Sequence, residues 1–433
     1  MTGRQTTIAP GSQGLRPAVA VTTMSHKKVV FLSYYGHQAR LLGPIADALP
    51  GHVKTEHLRV YPLTLERTIS SIFHRDSLQP DQIDNITRYY RLRKILKHPE
   101  IDTPRWRARL QRRANDWYSL FRRKLNGADL LVIWNGFSIP LGSAAAAARS
   151  LGITVVFCEN GALPGMIAMD TRGINFASSI SGKPAEFYQS ISVDAQKAEE
   201  MFGTSLIQRP LRKASQDACA DCDDDNPLPE RYVLFAMQVH DDTQMLLFSP
   251  RFQSLSEAVT YAYRRVAEYN ARTGDTLKLI VKEHPSDFGR SDYSKLRESL
   301  RDAYFLRKKP VSELVAHTQA VLTINSSVGV EGLLHLRPVI TLGDAFYNVP
   351  GIVRHLGPED DLAGVLADTI GKPVNVDLVT KFLYFLRYEY LVSTPRQSDG
   401  SISLQPAADR ILNILRDSSS FSRKGNLRAP HTC

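Results

Sequence analysis

Long apolar runs are missing from this chain. No stretch approaches the roughly 18 residues that a bilayer-spanning helix requires, so a transmembrane reading is excluded. Cysteine is scarce: Cys158, Cys219, Cys222 and Cys433 are the only four in 433 residues. That usage argues against a disulfide framework and fits a reducing compartment. Cys219 and Cys222 form one C-x-x-C, but no second pair completes a zinc site, and the acidic CADCDDDNPLP around them reads as a linker. The amino-terminal stretch has no charged start followed by an apolar segment and is not a secretory signal. Residues 1–24 therefore read as a disordered extension, with Met24 as an alternative start.

What is present suits a globular protein. The composition is 43% hydrophobic and 23% charged, enough to fill two cores, and the length itself favours two domains. The net charge is +10, and its distribution says more than its sum. Between Arg88 and Lys124, thirteen Lys or Arg stand against Glu100, Asp102 and Asp116, interleaved with Trp106, Trp117, Tyr118 and Phe121. Such a stretch is either a solvated helical face or a surface that meets acidic lipid headgroups or a polyanionic glycan. No nucleic-acid-binding module accompanies it, so nucleic acid is not the expected partner.

The hydrophobic pattern predicts strands at 27–36, 129–136 and 153–161, with helices to about Leu49, across much of 65–125 and at 142–151. After a linker at 215–229 the pattern restarts. Strands are expected at 231–238, 277–285, 320–327 and 338–344, alternating with helices at 252–272, 310–317 and 328–336. Continuous rather than alternating apolar runs point to buried parallel sheets, and the β-α alternation to doubly wound domains. The expected organisation is an α/β unit at 25–214, a second at 230–417 and a disordered tail at 418–433.

In doubly wound sheets ligands sit beyond the carboxyl ends of strands, so polar clusters at those points are the candidates. Lys282 and His284 follow one strand, in K-E-H-P, and suit an anionic group such as a phosphate. Asn325, Ser326, Ser327 and Gly329 precede a helix whose free N–H groups would favour an anion, with Glu331 a turn further on; a plain helix cap is the bland alternative. Gln238, His240, Asp241 and Asp242 follow the first strand of the second half, where a carboxylate could act as nucleophile or base. The first half contributes Asn135 and Gly136 in W-N-G, then Glu159 and Gly161 in E-N-G, with Asp170, Gly173 and Asn175 beyond. These would line the opposite wall of a cleft.

Taken in order, WNG, E-N-G-x-x-P, D-x-x-G-x-N, Q-V-x-x-D-[ST], K-x-H-P, N-S-S-V-G-x-E-G and a later R-P-V resemble the capsule polysaccharide biosynthesis/export family over about 29–345. That family includes β-Kdo transferases, which use CMP-Kdo; the chain is most similar to the single-module type, of the rhizobial lipopolysaccharide-processing kind. The resemblance implies a GT-B glycosyltransferase of bacterial surface polysaccharide, with two Rossmann-like domains facing a cleft. It implies that His284, Ser326 and Ser327 hold the CMP phosphate and that Glu331 supports the nucleotide. Asp242 would be the nucleophile of a retaining double displacement and Glu159 the acid/base. No metal or cofactor is expected, because one phosphate can be neutralised by Lys282, His284 and a helix dipole. The expected partners are a CMP-sugar donor, a lipid or polysaccharide acceptor, the inner-membrane surface and the export machinery, for a cytoplasmic, peripherally bound enzyme. Two alternatives stand beside this: a GT-B transferase with another nucleotide sugar, and a non-catalytic assembly component.

Overall fold

The computed structural model describes residues 27–61, 63–64, 77–203, 227–397 and 400–422. The expected extension 1–24, most of the 215–229 linker with its C-x-x-C, and the tail beyond Ser422 lie outside these residues. Two sheets organise the rest. The first is built from Lys28–Ser33 (β1), Lys54–Arg59 (β2), Leu130–Trp134 (β3), Thr154–Asn160 (β4) and Met166–Asp170 (β5). The second is built from Tyr232–Ala236 (β6), Lys278–Lys282 (β7), Tyr304–Leu306 (β8), Ala320–Thr323 (β9), Val339–Thr341 (β10) and Val353–His355 (β11). A last strand, Val392–Ser393 (β12), closes the list.

The central strands read VVFL, LLVIW, YVLFA and AVLT and are buried along their length, as strands covered by helices on both faces must be. The first sheet runs β12-β5-β4-β3-β1-β2, parallel through β4 and antiparallel at β5 and β12. The second runs β11-β10-β9-β6-β7-β8 and is parallel throughout. Both are doubly wound, as expected. Five strands were not expected from the sequence: β2, β5, β8, and the short β11 and β12. β2 (KTEHLR) and the three-residue β8 are edge strands without an apolar run, and β5 pairs through a hairpin from β4.

The basic stretch becomes two helices, Pro80–Ile95 and Pro104–Lys124, each opened by a proline in its first turn. The second buries Leu110, Ala114, Trp117, Tyr118 and Phe121 and packs on the Ile139–Ser150 helix. This corrects one expectation. Trp117, Tyr118 and Phe121 are core residues rather than part of a surface facing lipid or glycan; what is left outside is the charge.

The chain also crosses back at its end. Val392 pairs with Ile167 of β5, and the Gln405–Ser422 helix lays Ala408, Ile411, Leu412 and Leu415 beside Leu42 and Ile45 of the Gly36–Asp47 helix. Burying each large aliphatic side chain contributes on the order of 1.5–3 kcal/mol, so this last helix is firmly held by the first half. A second unit expected to run to 417 therefore gives its final part to the first sheet, and the helix extends to Ser422 where a tail was expected from 418.

Candidate active site between the two sheets

The strand order of the second sheet places its winding reversal between β6 and β9, the switch point where the crevice outside a doubly wound sheet opens. Gln238 leaves β6 and Asn325 leaves β9 at this point, and Gln238 Nε2 donates to Asn325 Oδ1 at 2.9 Å. Asn325 Nδ2 in turn donates to the carbonyls of Gln244, Phe248 and Asp344. Both side chains are buried. They knit the loops of the crevice together, and their polar atoms are turned to the protein.

Between them, the 239–242 loop carries three titratable groups. His240 Nδ1 lies 2.7 Å from Asp287 Oδ1 and 2.8 Å from Ser291 Oγ. Asp241 is 2% exposed and clamped by Arg93 Nε at 3.0 Å and an Arg290 guanidinium nitrogen at 2.5 Å. Burial alone would raise its pKa, but the two guanidinium groups hold it below the ordinary carboxylate value. Asp242 caps the Thr243–Phe248 helix by accepting from Met245 N at 2.9 Å. Burial is the main cause that pushes its carboxyl up to about 6, assisted by the neighbouring Asp241 and offset in part by the cap. Adjacent aspartates thus differ: one is a locked ion, the other sits near its titration point at neutral pH.

At the end of β7 the charges also divide. Lys282 is buried and donates to the Arg307 carbonyl, so its ammonium serves the loop. Glu283 is held by Arg297 at 2.6 Å and Arg307 at 2.9 Å. His284 opens the Pro285–Asp287 turn and accepts from Ser286 N through Nδ1 at 3.1 Å, which places the proton of the neutral ring on Nε2. After β9, Ser326 Oγ accepts from Val328 N, and Ser327 heads the Val328–Leu334 helix without a side-chain cap bond. Gly329 is required there because a Cβ would collide with the Tyr347 ring, whose hydroxyl holds the Ser326 carbonyl at 2.5 Å. Glu331, two residues on, is raised to about 7 by burial.

The first sheet supplies the facing wall. In the W-N-G turn Asn135 has φ +34° and Gly136 φ +85°, and a Cβ on Gly136 would meet the Phe157 ring at 2.8 Å. That tight turn aims Asn135 Nδ2 at Glu159 Oε2, 3.3 Å away. Glu159 Oε1 accepts from Asn160 N at 2.9 Å, and Gly161 N bonds Met166 O to start the hairpin. The Glu159 pKa is raised, first by burial and then also by the charge of Asp242. The charge of Asp242, 83 positions further along the chain, thus acts on Glu159, although burial is the main cause. Asp170 faces elsewhere: it collects Arg172 N, Gly173 N, Ser179 and the Tyr390 hydroxyl, tying a loop to the returning chain.

Several residues of the crevice had no recognisable signal. Tyr89 donates to the Asp241 carbonyl at 3.2 Å, while Arg93, Arg290 and Asp287 fix the 239–242 loop. Arg93 and Tyr89 stand in a basic helix where nothing local separates them from their neighbours.

Two doubly wound sheets, each with its own crevice at the carboxyl ends of its strands, define a GT-B-like protein. Residues 188–364 match the family model described as capsule polysaccharide biosynthesis protein. That matched segment contains every second-sheet residue of the site. Protein FixF of Sinorhizobium fredii is 30% identical over 286 residues, covering 66% of this chain and 64% of FixF. The capsule polysaccharide export protein KpsS of Escherichia coli is 31% identical over 134 residues, covering 29% of this chain and 33% of KpsS. The chain thus spans less than two thirds of these relatives. Among solved structures, the β Kdo 2,7 transferase of Thermosulfurimonas dismutans KpsC aligns with a TM-score of 0.45 at 12% identity, over 90% of this chain and 99% of that one.

Proposed function

We propose that the protein is a glycosyltransferase of bacterial surface polysaccharide that moves Kdo from CMP-Kdo to a lipid or glycan acceptor, with retention at the anomeric carbon. The observation that carries this reading is the placement of two buried carboxyls at strand ends of the two sheets, Glu159 on β4 and Asp242 after β6, each raised chiefly by burial, with the charge of Asp242 adding to the rise of Glu159. In this reading the ionised Asp242 attacks the anomeric carbon, and the bond from that carbon to the CMP phosphate oxygen breaks. The leaving phosphate takes the electron pair and is met by the Nε2–H of His284 and by backbone N–H groups of the 325–329 turn. Glu159 then accepts the proton of the acceptor hydroxyl, whose oxygen attacks the same carbon and releases Asp242. Two inversions restore the starting configuration.

One phosphate is a modest charge for an imidazole and backbone donors to balance, so the scheme calls for no resident metal or cofactor. Lys282, two residues before His284, donates to the Arg307 carbonyl and keeps its positive charge to add to that balance. Among the described residues no helix is long and apolar enough to cross a membrane. The exposed cations of the Pro80–Ile95 and Pro104–Lys124 helices support a peripheral placement on a cytoplasmic anionic surface, near the export machinery. The test is incubation with CMP-Kdo, generated in place, and a panel of acceptors, read by mass spectrometry. A Kdo-sized mass increment that disappears in Asp242→Asn is the expected result. CMP protection without any transfer would instead favour a non-catalytic component, and protection by UDP alone would favour another donor.

A further inference from the structure

The first sheet has its own switch point, between β1 and β3, because β1 is flanked by β2 on one side and β3 on the other. The loops leaving those two strands, at Tyr34–Tyr35 and Ser138–Pro140, bound a cavity of about 250 Å³. Its remaining wall is the Pro80–Ile95 helix, which brings Tyr89, Tyr90, Arg93 and Lys94, with Lys97 from the turn after it and Arg113 from the next helix. Nothing in the transfer scheme above uses this space.

Three features of the cavity point to a ligand. The first is its charge. Lys94 and Arg113 lie 5.8 and 5.7 Å from the centroid of the Tyr90 ring, and among the described residues neither they nor Lys97 has an acidic partner. Arg93, the fourth cation of the lining, is paired with Asp241; the other three around one small volume repel one another unless an anion joins them. The second is unmet hydrogen bonding: Arg113 Nε and Ser138 Oγ are both buried without a partner, a state that costs about 1–3 kcal/mol per group and is relieved by a bound acceptor. The third is shape. Four tyrosines give flat apolar faces with hydroxyl rims, as sugar rings require. The volume falls just below the usual range of ligand sites, which starts near roughly 300 Å³, and suits one small unit.

The cavity also adjoins the paired carboxyl groups. Tyr89, which lines it, bonds the Asp241 carbonyl, and Ser138 follows the W-N-G turn that orients Glu159. We infer that this cavity is the acceptor subsite, and that it takes a single sugar unit bearing a phosphate or carboxylate group. The ring packs on the tyrosines while its anion is held by Lys94, Lys97 and Arg113, with a hydroxyl directed toward Glu159. This rests on the transferase reading for the word acceptor; the anion-and-sugar site itself does not.

The test uses the full chain with glucose 1-phosphate, glucuronate, glucose, inorganic phosphate and phosphatidylglycerol vesicles as probes, by calorimetry and vesicle co-sedimentation. Glucose 1-phosphate or glucuronate should bind at least tenfold more tightly than glucose and than inorganic phosphate. Lys94→Glu/Lys97→Glu, two exposed positions at and just past the end of the helix, should weaken that binding at least tenfold, and Lys94→Ala/Lys97→Ala should weaken it in the same direction. CMP affinity should be unchanged in both. Equal binding of glucose and glucose 1-phosphate, or full retention in both variants, overturns the inference. So does vesicle binding that needs Lys94 and Lys97 in a protein that ignores the small anionic sugars, which would assign the cations to a lipid surface. Failure of CMP to bind while the anionic sugars do would sink the donor reading and leave this subsite standing.

Discussion

Arg93 and Asp241, 148 positions apart, join the two halves of the molecule: the guanidinium Nε donates to Asp241 Oδ2 at 3.0 Å. Arg290 takes the other oxygen of the same carboxylate, and Tyr89 takes its backbone carbonyl. A single buried aspartate thus fixes both the approach of the Pro80–Ile95 helix and the loop that presents Asp242. Asp241→Asn should cost about 1–3 kcal/mol, as for loss of charged hydrogen bonds, because both arginines are partly exposed and can rehydrate. The depressed pKa of Asp241 sets the sign: its contribution is present above the unfolded carboxylate value and disappears as pH falls through the folded one. Urea denaturation of wild type and variant at pH 7 and pH 3 should show the gap narrowing at the lower pH. A constant gap would mean that the charge is not what matters.

Asp242 should behave in the opposite way. Its carboxyl is raised to about 6 chiefly by burial, so ionising it in the folded state is unfavourable and Asp242→Asn should not destabilise the protein at pH 7.5. Asparagine is also as good a helix cap as aspartate. If Asp242 is the nucleophile, the same change abolishes transfer, and wild-type transfer falls as pH drops below about 6. Transfer that survives in Asp242→Asn, or is indifferent to pH between 5 and 7, would remove Asp242 from the role.

Asn325 is the hinge of the crevice wall. Its side chain meets three carbonyls and the Gln238 amide. Asn325→Ala strands several buried groups together and should cost about 2–4 kcal/mol, read as a lower denaturation midpoint. CMP binding should weaken with it, because the loops lose their spacing. A variant with wild-type stability would show that water replaces the amide readily.

The contrast between these residues shows what was legible. The strands at 28–33, 130–134, 232–236 and 320–323 were readable because burial on both faces demands unbroken apolar runs. From them followed the strand ends, and with them Asn135, Glu159, Gln238, Asp242, His284 and Asn325. What each side chain does there was a different matter. Lys282 reads from sequence as a phosphate ligand; the fold adds a hydrogen bond from its ammonium to the Arg307 carbonyl, a contact made by a β8 loop with no signature of its own. The aromatics of 104–124 looked superficial because charge surrounds them in sequence; helical periodicity turns Trp117 and Phe121 inward while the arginines stay out. Arg93 and Arg290 were invisible because an arginine in a basic surface is distinguished only by a partner that the fold brings from far away.

Glu331 provides the sharpest pH test. Burial raises it to about 7 from an ordinary 4.5, and among the described residues its carboxyl has no hydrogen-bond partner. Between those two values the unfolded chain loses a proton that the folded one keeps. Stability on account of this group is therefore full at low pH and is lost as pH rises through about 7. Glu331→Gln does not titrate, so its stability relative to wild type should be level near pH 4 and rise to an advantage of about 1–2 kcal/mol by pH 8, discounted for partial exposure. Ligand binding should reverse the logic. If a nucleotide hydroxyl donates to Glu331, it favours the carboxylate, so CMP affinity in wild type should increase with pH across 6 to 8 while the variant stays flat. Thermal shift measurements with and without CMP, at pH 5.5, 7 and 8.5, separate the two effects. A variant that gains nothing at high pH would mean the carboxyl is better solvated than its burial implies, and an unchanged CMP pH profile would take Glu331 out of the nucleotide site.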